Sequence, residues 1–251
     1  MGLRFASAAD APAQVILQTR IDALDLTVLS GGGAAVGDWA RAHGFLLTPD
    51  APQILDFYAA RSPVFLAARF DAAAAAARGQ QAGDGTPIHL TIPTPNPWVP
   101  LRILGLGRGA LEPVQADVYL LTDRQPALLP APDAGMHLAV SEAASSGLLN
   151  DLRSDKGMGW MPATSWLSLL RIDSTAGQMT HDLAIDASGA GRPSVVQAGI
   201  ATDQADAVVV PGRPCAGRHH LGLYGWAGAA LVFGLAVAAV AIVAFRRPRR
   251  V

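Results

Sequence analysis

Lysine and cysteine occur once each in this chain, as Lys156 and Cys215, and 18 of the 19 Lys/Arg positions are arginine. A single cysteine excludes an internal disulfide, a Cys-based zinc site and a redox pair. Its simplest reading is an inert thiol, ahead of an intermolecular disulfide or an acylation site. Excess charge of either sign is missing too: the net charge is −1 and no long single-sign block occurs. Nucleic acid is therefore a poor partner. Aromatic residues make up only 6% of the chain, so core packing is the default role for Trp98, Trp160 and Trp166, ahead of stacking on sugars or peptides. The sequence also lacks HExxH, GxSxG, a Walker lysine and GxGxxG, which leaves no signature of a metalloprotease, an α/β hydrolase or a nucleotide-binding enzyme.

What is present is one long apolar run. Residues 221–245, opening on Leu221 and closing on Phe245, contain no charged side chain, and Arg246, Arg247, Arg249 and Arg250 follow directly. A helix of this length reaches about 37 Å, against a hydrocarbon core of about 30 Å. Tyr224 and Trp226 fit an interfacial aromatic belt. The remaining core of 19 residues, 227–245, then spans about 28 Å with little tilt. The pattern predicts a transmembrane helix with a cationic stop, and the arginine cluster places the tail in the cytoplasm by the positive-inside rule. Everything before about residue 220 then lies outside. The lipid bilayer is the one partner the sequence names. Inside the span, Ala230, Gly234 and Ala238 form a small-xxx-small row of the kind that can pair helices, although alanine is so frequent here that the row carries little weight.

An outside domain needs an export signal, and the opening MGLRFASAADAPAQ has no apolar h-region. Position 6 is Ala6, so the myristoylation pattern fails as well. The two observations reconcile if a signal peptide lies upstream of Met1. A tail-anchored cytoplasmic protein is the alternative.

Along the rest of the chain, strands are expected over 15–19, 24–29, 64–70, 88–92, 99–104, 117–122, 137–140, 166–172 and 179–185. Helices are expected over 34–43, 51–60 and 142–152, and the alanine-rich 71–78 is helix-prone. Prolines at 93, 95, 97 and 100 make the 88–104 region a rigid loop or sheet edge. Close succession of strands with few interposed helices points to an α+β fold with a largely antiparallel sheet. The expected organisation is an extracytoplasmic domain over 1–187, a stalk over 188–220 with one strand at 194–200, the membrane helix over 221–245 and a basic tail over 246–251.

Chemical candidates are weak. Cys215 with His219 and His220 supplies at most three metal ligands beside the membrane, and a physiological site there is the minority reading. His181 and Asp182 with Ser174 or Ser188 make a triad only on paper. Ser154, Asp155 and Lys156 lack the Ser-x-x-Lys spacing. Gly31, Gly32 and Gly33 precede a helix and could cradle a phosphate. Gly105, Gly107 and Gly109 most simply make a turn. No catalytic residue, cofactor or metal site is therefore assigned.

The segments WARAHGFLLTPDAPQILDFYAARSPVFLAARF (39–70) and PIHLTIPTPNPWVPLRILGLG (87–107) resemble the bacterial domain of unknown function 2330 family. In that family a Trp-containing helix ends in a turn, an aromatic follows, then a helix with a tyrosine and a strand. The similarity covers about residues 14–125. Members usually carry a signal peptide, a cysteine-glycine element and a further upstream half-domain. The resemblance thus implies an envelope location and a start upstream of Met1, and transfers no functional residue.

The resulting expectation is an uncharacterised single-pass envelope protein with a non-catalytic binding or structural domain and an envelope protein as its partner. A membrane-tethered hydrolase with part of its active site encoded upstream of Met1 is the alternative. A pocket gathering His137 or His181 with a carboxylate and a hydroxyl would reverse that order.

Overall fold

A computed structural model describes residues 11–80, 88–133, 135–155 and 157–200, with the backbone of a four-residue strand at Ala241–Ala244. The first layer is a three-stranded antiparallel sheet, β1 (Gln14–Ile21), β2 (Leu24–Ser30) and β3 (Val64–Phe70), in that order. Asp22 turns the β1–β2 hairpin at φ 51°, a left-handed conformation that Asp tolerates better than most side chains. Two helices interrupt β2 and β3: α1 (Gly33–Ala42) and α2 (Ala51–Ala59). Val36, Gly37 and Ala40 form the buried stripe of α1; Ala51, Ile54 and Tyr58 form that of α2. A Cβ at Gly33 would sit 2.6 Å from the Asp56 amide nitrogen, so glycine is what lets the two helices approach. After β3, Asp71 caps the alanine helix α3 (Ala72–Ala77) by accepting from the Ala74 amide.

The second part is a sandwich. One sheet has the order β10–β5–β8–β7, from Ala241–Ala244, Pro113–Thr122, Trp166–Thr175 and Met136–Ala143. The other has the order β4–β9–β6, from Trp98–Val99, Leu183–Asp186 and Ala127–Leu129. All ladders are antiparallel except β10–β5. Alternate residues point between the sheets, as the two-residue period of a strand requires. Val118, Leu120, Leu170 and Ile172 from one side meet Val99, Leu128, Leu183 and Ile185 from the other. Burying each such side chain contributes about 1.5–3 kcal/mol. A smaller cluster of Leu121, Leu149 and Met161 lies under α4 (Ser146–Ser154), and Leu129, Ala184 and Ala198 pack under α5 (Val195–Ala198).

The α+β, largely antiparallel fold is as the sequence indicates. Several details differ. Of the strand expected at 179–185, only residues 183–185 are in a strand, β9, which follows a 3-10 turn at Ala176–Gln178 and a loop. Residues 88–92 form no strand: Leu90 and Ile92 are exposed, and the prolines after them cannot join a ladder. Of the next expected strand, 99–104, only Val99 pairs, together with Trp98 before it; the chain then turns through a 3-10 helix at Arg102–Gly105. The helix expected at 142–152 starts later, because β7 continues to Ala143 and Ser145 caps α4 by accepting from the Leu148 amide. The strand expected at 194–200 is the short helix α5, capped by Ser194 and ended by Gly199 at φ 68°.

No helix among the described residues is long and apolar enough to cross a membrane. Of the run read as a membrane helix, Ala241–Ala244 is here a strand lying parallel to β5. The rest of 221–245, with the arginine tail, lies outside the described residues.

Candidate functional site

Two polar assemblies stand out, one closed and one open. The closed one centres on Asp182, whose exposure is 0%. Its Oδ1 accepts from the Tyr58 hydroxyl at 3.0 Å and from the Leu101 and Arg102 amides at 2.8 and 2.9 Å. Its Oδ2 accepts from Arg61 Nη2 at 2.8 Å. The Tyr58 oxygen in turn accepts from the Ile103 amide at 2.9 Å. Arg61 lies 3.5 Å over the Phe57 ring and is itself almost wholly buried. Its Nε and Nη1 have no hydrogen-bond partner among the described residues.

Burial is the largest influence on both charged groups: it pushes the Asp182 carboxyl up and the Arg61 guanidinium down. Backbone donors and the pair's mutual attraction oppose it. Every group bonded to Asp182 is a donor, and its Oδ2 faces a guanidinium, so there is no acceptor for a carboxyl proton. We therefore assign the carboxylate form. Burial, followed by the charge of Asp182, raises the Tyr58 hydroxyl far above its ordinary range. Asp182 and Tyr58 are fully engaged by these partners, and Arg61 contributes one hydrogen bond through Nη2 and its stacking on Phe57. They clamp α2 and the 3-10 turn to the entry of β9, and the role is structural.

The open assembly is a cleft of about 380 Å³ between the end of α1 and one face of the first sheet. That size falls in the usual range of small-molecule sites, about 300–1,000 Å³. Trp39 and His43, one helical turn apart, stack with ring centroids 4.0 Å apart, and Phe45 tilts against the indole at 6.0 Å. His43 Nδ1 lies 2.7 Å from the Trp39 carbonyl oxygen. A carbonyl can only accept, so Nδ1 carries a proton. The sheet side comes from register: Gln18 opposes Thr27, Arg20 opposes Asp25, and Asp25 opposes Arg69. Asp25 bonds Arg20 Nε at 2.8 Å and Arg69 Nη2 at 3.2 Å, and Arg20 also bonds Asp71. The hydrogen bond from Arg69, then that from Arg20, holds the Asp25 carboxyl below the usual carboxylate range.

The residues singled out from sequence do not assemble into a catalytic site. Asp182 turns inward, while His181 Nδ1 lies 2.8 Å from Thr180 Oγ1. Ser174 donates to Gln178, and Ser188 belongs to a turn on Asp186. Ser154 donates to the Asp151 carbonyl; Lys156 is outside the described residues. The Asp56 carboxylate crowds Gly33, where an anion would have to sit. The 105–109 glycines make a turn in which Gly107 and Gly109 donate to Asp50 and Glu112. Trp98 stacks on Tyr58, Trp160 on His89, and Trp166 Nε1 donates to Ser141. Cys215, His219, His220, Ala230, Gly234 and Ala238 lie outside the described residues, as do Leu221, Tyr224, Trp226, Phe245, Arg246, Arg247, Arg249 and Arg250. No group of three or more potential metal ligands occurs among the described residues. The cleft was not anticipated as a site, although its Trp39, His43-Gly44 turn and Phe45 are the helix-end pattern that carried the family resemblance.

Residues 2–149 match a family described as an uncharacterized protein conserved in bacteria, DUF2330. The chain belongs to this family. The match spans the first sheet, the cleft and β4 to β7, and ends within α4. Asp182 and the central strand β8 therefore lie beyond it. No curated protein and no solved structure matches the chain.

Proposed function

We propose that this DUF2330 protein is a single-pass membrane-anchored protein of the bacterial envelope, with a non-catalytic extracytoplasmic domain that binds a partner or ligand through the cleft beside α1. The anchor rests on one observation, the apolar run 221–245 followed by Arg246, Arg247, Arg249 and Arg250. Residues 241–244 cannot lie along β5 and inside a bilayer together, so in the anchored state they leave the sheet edge. Binding rather than catalysis is favoured by how the cleft's reactive groups are engaged. Asp25 is hydrogen-bonded to two arginines, His43 is tied to a backbone carbonyl, and the hydroxyl residues lining the cleft are Thr19 and Thr27. A general base and nucleophile in hydrogen-bond contact are not among them.

The full chain is expected to stay in the membrane pellet through alkaline carbonate extraction, and a version ending at residue 220 to be released. Release of both would remove the anchor.

A further inference from the structure

We propose that the cleft between α1 and the first sheet binds a neutral saccharide; this rests on the reading of the domain as a binding module. Three features of the lining point to that chemistry. First, the charges are internally balanced. Arg20 is shared between Asp25 and Asp71, and Arg69 is held by Asp25. A free anion would have to compete with carboxylates already seated on both guanidinium groups, so an ionic ligand gains little. Second, the same ion pairs fix donors and acceptors side by side on a rigid strand ladder, with the Gln18 amide and the Thr27 hydroxyl beside them. Sugar hydroxyls both donate and accept, and a floor offering both suits them better than it suits a hydrocarbon or a pure acceptor. Third, the facing wall is aromatic. The Trp39–His43 stack and Phe45 supply flat apolar area, with Trp39 and Phe45 half-buried rather than lost to the core. An apolar sugar face against such rings, with its hydroxyls on the polar floor, satisfies both sides of the cleft at once.

The test is calorimetric titration of the full chain, held in a detergent without a sugar headgroup. The probes are maltose, cellobiose and di-N-acetylchitobiose, with inorganic phosphate and acetate as ionic probes. At least one disaccharide is expected to bind in the millimolar range or tighter. Trp39→Ala should weaken it by about tenfold, comparable to losing one aromatic contact. Gln18→Leu, which leaves α1 untouched, should weaken it as well, and circular dichroism checks that both variants fold. Heat from none of the disaccharides, binding unchanged in both variants, or displacement of the sugar by phosphate or acetate would overturn the proposal. Carbonate extraction is independent of these titrations, so failure of the anchor and failure of the sugar site are separate results.

Discussion

Asp182→Ala is expected to lower the free energy of unfolding by about 3–5 kcal/mol, the range found when one member of a buried ion pair is removed. The side chain is inaccessible, and its carboxylate holds four donors contributed by two distant stretches of chain, Tyr58 with Arg61 and Leu101 with Arg102. Alanine would strand the Arg61 guanidinium in a pocket of Phe57, Tyr58 and Trp98. It would also leave the Leu101 and Arg102 amides and the Tyr58 hydroxyl without their acceptor. Replacing Arg61 at the same time with methionine should recover only part of the loss, since the backbone donors would still be unpaired. Urea denaturation followed by circular dichroism measures both variants. Asp38→Ala is the comparison: it removes an ion pair to Arg41 whose aspartate side chain is 80% exposed, and should change stability by no more than about 1 kcal/mol. Equal midpoints for the Asp182 and Asp38 variants would mean the clamp does not hold the fold together.

Leu170→Ala should cost about 2–5 kcal/mol by the same measurement. Leu170 sits in the central strand of its sheet, paired with Val118 on one side and Leu138 on the other, and is 0% exposed in the main core. Tight ladders on both flanks prevent the site from collapsing around the missing methyl groups. Leu46→Ala, at a position 99% exposed, should stay within about 0.5 kcal/mol of wild type. Domains of ordinary stability hold only about 5–15 kcal/mol in total, so either buried substitution removes a substantial share of it. β8 lies beyond the matched family region, and a fragment ending at residue 149 would lack it.

Local chemistry explains which parts of this fold could be read from the chain. β3 is found over the expected residues, and α1 and α2 start and stop within a residue of expectation, because each has a clear period and a clear boundary. The 88–92 segment misleads because its alternation satisfies a strand pattern while the prolines after it deny it a neighbour. β6 gave no signal: three residues, Ala127–Leu129, are too few to show a period. Glu142 and Ala143 read as the start of a helix, yet the ladder of β7 to β8 continues through them, opposite Leu167 and Trp166.

The site was harder to see than the fold. Asp182 drew attention as the neighbour of His181, yet its partners Tyr58 and Arg61 lie more than 120 residues earlier, a pairing no local pattern reveals. The cleft likewise depends on strand register, which sets Arg20, Asp25 and Arg69 in one row, and on a helix end that brings Trp39 and His43 over it. The aromatic turn itself was legible. What it faces was not.

The most direct test of the proposed topology uses the chain's single thiol, Cys215, which lies six residues before the apolar run. A membrane-impermeant maleimide applied to intact cells expressing the native gene is expected to label it. Labelling seen only after lysis would place the domain in the cytoplasm and contradict an extracytoplasmic module.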